Sequence, residues 1–157
     1  MEWYRVLNAD EIDSPALMVY PQRVIHNIRH AIKFVTDVTK LRPHIKTHKS
    51  TEVLNLFRRE GIHKVKCSGI AEVAIAAQAG MRYILLAYPV VGPKCSRHVK
   101  IVLAYPSAII SCLVDNVDSA TALSAIANEN NVTISVFIDV NVDQGRTGVV
   151  PGGFCDL

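Results

Sequence analysis

Residues 64–114 read KVKCSGIAEVAIAAQAGMRYILLAYPVVGPKCSRHVKIVLAYPSAIISCLV, and this stretch decides the fold. Lys64–Cys67 is a short run with strand character. Ala71–Ala79 is Ala-rich at helical spacing and closes at Gly80. Tyr83–Ala87 is a strong apolar strand, Lys94–Ala104 is helical, and Ala108–Val114 is apolar and extended. Strand, helix, strand, helix, strand with short connections is the rhythm of βα units on a parallel sheet.

The same rhythm extends both ways. Upstream, Ala16–Tyr20 reads as a strand, and Pro21 sits where a helix tolerates it, at the first turn. Val24, Ile28, Ile32 and Val35 then recur at helical spacing to about Lys40. Leu41–Lys46 reads as a strand. Ser50 can cap a helix that buries Val53, Leu54 and Phe57 and ends at Gly61. Downstream, Ser119–Asn128 is helical and Val132–Val140 is the last strand. Two architectures fit, a doubly wound open sheet or part of a (β/α)8 barrel; a whole barrel takes about 250 residues.

Composition narrows the class. The chain has 157 residues, 50% of them hydrophobic and 20% charged, which suits one domain with a real core. The longest apolar run, Tyr83–Val91, falls short of the roughly 20 residues that a membrane span needs. The opening Met-Glu-Trp-Tyr-Arg lacks the basic and apolar regions of a signal peptide, so a cytoplasmic protein with no membrane association is expected. The net charge of +3 is mild. The most basic stretch, Arg58–Lys66, holds no aromatic residue on which a base could stack, so no nucleic-acid partner is expected. Cys67, Cys95, Cys112 and Cys155 form no C-x-x-C pair and read as free thiols. Glycine-rich nucleotide loops and the G-x-S-x-G elbow are absent.

Chemistry concentrates in Leu41-Arg42-Pro43-His44-Ile45-Lys46-Thr47-His48-Lys49. If this segment stays extended, Arg42, His44, Lys46 and His48 share one face. A row of cations facing a barrel interior calls for an anion. Crowded, partly desolvated lysine favours its neutral form, which attacks carbonyls to give a Schiff base. An edge strand with a solvated charged face fits the same pattern. A second polar cluster, Asp139–Val149, follows the last strand, with Arg146 between Gly145 and Gly148. That arginine could grip an oxyanion; an ordinary loop with a solvated arginine fits equally. Tyr88-Pro89, after the strand Ile84–Ala87, is a third such loop, and its tyrosine fits packing as well as function. His26 and His30, four apart on a helix without an acidic third ligand, read as surface residues, and His63 and His98 as exposed.

These motifs resemble a known family. Arg42–Lys49 resembles the R-P-H-x-K-T-H-K segment of the D-threonine aldolase and D-serine dehydratase family. Asp13-Ser14-Pro15-Ala16-Leu17 resembles its D-[ST]-P-A-L start, Ile84–Gly92 its I-L-L-A-Y-P-V-V-G run, and Gly145–Val149 its G-R-x-G-V loop. The resemblance implies an α/β fold of parallel βα units, an incomplete part of an alanine-racemase-like (β/α)8 TIM barrel, with the Lys46 strand as its first strand. It implies that residues 1–157 are the N-terminal portion of a pyridoxal 5'-phosphate enzyme. Further barrel strands, a C-terminal β-domain, phosphate loops and metal ligands would lie beyond; Pro151–Leu157 is too short to supply them.

The same resemblance assigns roles. Lys46 carries the cofactor, Arg146 faces its phenolic oxygen, and His44 and Thr47 are supporting candidates. The implied reaction is retro-aldol cleavage of D-threonine to glycine and acetaldehyde, aided by a divalent metal (Mn, Mg or Zn) in a homodimeric whole enzyme. Elimination by a D-serine dehydratase is the alternative. A non-catalytic cofactor-binding barrel and a remnant binding only a partner are the readings outside that class.

Overall fold

The computed structural model describes residues 3–151, so Cys155 lies outside the described residues. Within them, α1 (Pro21–Lys33) and α2 (Thr51–Arg59) precede β1 (Lys64–Cys67), α3 (Ile70–Gln78), β2 (Tyr83–Pro89), α4 (Pro93–Ala104), β3 (Ile109–Val114), α5 (Val117–Glu129) and β4 (Ser135–Ile138). The four strands form one parallel sheet in the order β1-β2-β3-β4. Sequential parallel order with a helix at every crossover is barrel topology, because a doubly wound sheet would reverse direction at a switch point.

Each of β1, β2 and β3 has two unlike faces, whereas β4 is exposed throughout. Val65 and Cys67, Ile84 and Leu86, and Ile110 and Cys112 are buried and pack with Val73, Ala76 and Ala77 of α3, Cys95 and Val99 of α4 and Leu123 of α5. The intervening positions face the other way. Register aligns Lys66 with Leu85, Ser111 and Ser135 in one row, and a bridge adds His44 beside Lys66. Arg42 and Lys64 find aromatic partners: the Arg42 guanidinium lies 5.8 Å from the Phe137 ring and the Lys64 ammonium 5.7 Å from the Tyr83 ring.

Local signals act as expected around α2. The Ser50 hydroxyl accepts from the Val53 N–H at 3.2 Å, and Gly61 turns the chain with φ +84°. Four expectations need correction. Ala16–Tyr20 has no regular secondary structure and pairs with no strand among the described residues, and Leu17, Met18 and Val19 are exposed. Leu41–Lys46 makes a single bridge at His44 and then turns. α1 stops at Lys33, and a separate 3-10 turn covers Val38–Lys40, capped by Asp37. β4 is shorter than Val132–Val140, spanning four residues. In the three strand cases the composition favours extended backbone, but a strand also needs a neighbour's hydrogen-bonding edge.

His98 also departs from expectation: it is fully buried on α4. Its charged neighbours in sequence suggest solvent, but helical geometry groups it with Cys95 and Val99, which face the sheet. Burial pushes its pKa down to about 4, and neither ring nitrogen has a hydrogen-bond partner. His63 is half-buried, while His26 and His30 are exposed with stacked rings 6.3 Å apart.

Candidate functional site

The C-terminal ends of the parallel strands frame a polar cavity of about 290 Å³. Its wall includes His44 and Lys46, Lys66 of β1, Tyr88 of β2, Asp139 after β4, and Arg146. This end of the strands is where loops of α/β barrels gather reactive groups. The two clusters singled out in the sequence, 41–49 and 139–149, thus meet across the sheet.

The Lys46 side has a definite geometry. The His44 Nδ1 accepts the Lys46 N–H at 3.2 Å, so the imidazole braces the lysine backbone. The Ile45 carbonyl accepts from both the His48 N–H (3.2 Å) and the Lys49 N–H (2.9 Å), which folds residues 46–48 into a turn. Extended backbone therefore ends before Lys46. The expected single face of Arg42, His44, Lys46 and His48 divides: His44 and Lys46 line the polar cavity, whereas Arg42, Thr47 and His48 line another. Burial first, and then the positive charges of Lys46 and Lys66, hold the His44 pKa below its ordinary value. A neutral His44 can keep Nδ1 as the acceptor that this bond requires.

The Arg146 side is a pinched loop. Asn141 donates its N–H to the Val149 carbonyl and Val149 donates to that of Asp139, both at 2.9 Å. Gly148 sits between these bonds with φ +91°, and a Cβ there would meet the Asn141 nitrogen at 2.7 Å and Asp139 backbone at 2.8 Å. Only glycine fits. The loop carries Arg146 to the cavity, where the side chain is exposed.

Charge in the cavity is unbalanced. Among the described residues, Lys46, Lys66 and Arg146 make no ion pair and no side-chain hydrogen bond. Asp139 Oδ2 is buried without a donor. Such a wall suits an anion that also carries a hydrogen-bond donor. Lys66 escaped the sequence reading, and Asp139 entered it only as the first residue of the polar cluster 139–149. Lys66 does alternate with Val65 and Cys67, so its face was legible; that this face meets His44 is a matter of register.

A larger cavity of about 670 Å³ lies between the segment 17–20 and α1, α2 and residues 41–43. Its lining is mostly apolar, with Leu17, Val19, Ile28, Val53 and Phe57. Arg23, Arg42 and His48 also line it, but no lysine does, and the chemistry is therefore assigned to the polar cavity that holds Lys46. Among the described residues there is no group of three His, Cys, Asp or Glu placed to hold a metal, and no helix is long and apolar enough to cross a membrane.

Known proteins bear on this arrangement. A family model described as alanine racemase, N-terminal domain, matches residues 19–157. The chain belongs to this family. Among relatives of this alanine racemase N-terminal domain is the D-threonine aldolase of Arthrobacter sp., 31% identical over 88% of this chain and 36% of its own length. The D-threo-3-hydroxyaspartate dehydratase of Delftia sp. is 28% identical over 88% of this chain and 36% of its own. A variant of it solved in a metal-free form superposes with a TM-score of 0.71. The D-threonine aldolase of Filomicrobium marinum superposes with a TM-score of 0.80 at 26% identity, over 92% of this chain and 39% of that one. The chain thus spans little more than a third of the curated relatives it matches. The likeness supports an alanine-racemase-like barrel, of which this chain forms a part.

Proposed function

We propose that this chain is the N-terminal part of a pyridoxal-phosphate lyase acting on D-3-hydroxy amino acids, of the D-threonine aldolase type. The observation that carries the reading is the convergence of Lys46, His44 and Arg146 on one cavity with unpaired cations and an orphaned carboxylate oxygen. Similarity to D-threonine aldolases and to a 3-hydroxyaspartate dehydratase supports the substrate class.

The residues present fit pyridoxal phosphate, an anionic aromatic aldehyde. Lys46 offers an unpaired nitrogen for the carbonyl. Arg146 offers a guanidinium for the phenolic oxygen, a charge-assisted contact. His44 holds the Lys46 backbone through its N–H. Thr47 stands beside Lys46 in the turn. When bound, the cofactor supplies an electron sink for the substrate Cα. A divalent metal (manganese, magnesium or zinc) supplies a Lewis acid for the substrate hydroxyl, and we assign its ligands to residues outside 3–151. The whole enzyme is proposed to be a cytoplasmic homodimer. Elimination of the hydroxyl is the second reading, favoured by the likeness to the dehydratase.

Borohydride trapping of chain mixed with pyridoxal phosphate, followed by peptide mapping, tests the assignment. Label on Lys46 is expected. Label on Lys49 or Lys66, with none on Lys46, overturns it.

A further inference from the structure

Among the described residues Lys46 has no side-chain partner, so its direction depends on the turn that bears it. That turn is braced from two sides. On the α2 side, the His48 Nδ1 accepts the Ser50 N–H at 3.1 Å, next to the Ser50 cap. On the α3 side the brace is Glu72, an acidic residue in the first turn of α3 that is only 6% exposed.

A buried carboxylate needs partners for both oxygens. Glu72 Oε2 accepts the Ser68 N–H at 2.7 Å, and Oε1 accepts the Ser68 hydroxyl at 2.8 Å. Its countercharge comes from the turn: Lys49 Nζ is 3.9 Å from Oε1. Lys49 has φ +47°, the left-handed region that a non-glycine residue enters at a cost. It thereby ends the turn, with its N–H on the Ile45 carbonyl, and brings its side chain to Glu72. The Glu72 charge also reaches both His44 and His48, favouring their protonated forms against the burial that disfavours them. The carboxylate's contact with the turn is through Lys49.

We propose that Glu72 is a positioning residue that, through Lys49, ties the Lys46 turn to the start of α3 and so preorganises Lys46 for its carbonyl partner. The proposal rests on Lys46 being the cofactor lysine. Glu72 does not line the polar cavity; it acts through Lys49.

The test is a double-mutant cycle in the 157-residue chain. Affinity for pyridoxal phosphate is read from the absorbance of the Lys46 adduct, with borohydride mapping of the labelled site and circular dichroism as a check on folding. Glu72→Gln keeps the size and an acceptor for Ser68. Lys49→Met keeps the exposed stem and cannot threaten the core. Each is expected to weaken adduct formation about two- to fivefold, the range of a partly exposed ion pair. The double variant should lose no more than the worse single one, and Lys49→Arg should bind like the unaltered chain. Independent, additive losses, or an adduct indifferent to both changes, overturn the proposal while leaving the Lys46 reading intact. Failure of the unaltered chain to label Lys46 at all overturns that reading and the proposal with it.

Discussion

Acidification should destabilise this chain through His98. The residue is fully buried on α4, and burial lowers its pKa from the ordinary 6.5 to about 4. Between those values the unfolded chain binds more protons than the folded one, so stability rises with pH. The contribution is complete above about 6.5 and is lost as pH falls toward 4. From pH 7.5 to pH 5 the loss assigned to His98 is about 2 kcal/mol. His98→Leu has similar bulk, cannot titrate, and removes two ring nitrogens that have no partner. At pH 7.5 the variant should be at least as stable as the parent. Urea unfolding at both pH values measures the two slopes. The variant keeps a shallower slope, because His44 and His48 are also held low mainly by burial. Equal slopes in parent and variant would refute the reasoning and place His98 in contact with water.

The other expectations concern the polar cavity. Arg146→Ala should weaken pyridoxal-phosphate binding by one to two decades, the equivalent of about 1.5–3 kcal/mol for a charge-assisted contact; an unchanged titration would make Arg146 an ordinary loop residue. Gly148→Ala should cost cofactor affinity comparably, because its Cβ meets Asn141 and Asp139 backbone and must open the loop. Gly145→Ala, strained by its φ of +60° but with nothing within 4 Å of its Cβ, should lose less, and equal losses would count against the pinched-loop geometry. With cofactor and manganese, this chain should release no acetaldehyde from D-threonine above background, since its described residues hold no metal cluster and the edge of β4 is open. Metal-dependent turnover by a monodisperse sample would contradict that.

Much was legible in the sequence alone. Apolar runs alternating with helical spacing from Lys64 to Ile138 determined the parallel βα architecture, because burial on one face imposes a period that local composition records. Ser50 and Gly61 marked the ends of α2, because capping is a contact between near neighbours. Lys46 and Arg146 stood out because cations and glycines next to apolar strands are unusual. What only tertiary structure decided lies in contacts between distant residues. Whether Ala16–Tyr20 is a strand depends on a partner edge, and none of the described residues supplies one. The division of His44 and Lys46 from Arg42 and His48 follows from the Ile45 carbonyl taking two N–H groups, a turn that alternation cannot register. Lys66 meets His44, Glu72 meets Lys49 and Asp139 shares a cavity with Lys46 through strand register and crossover geometry. Sequence periodicity reports which face of an element is buried; which groups meet across the fold is set by how those faces are stacked.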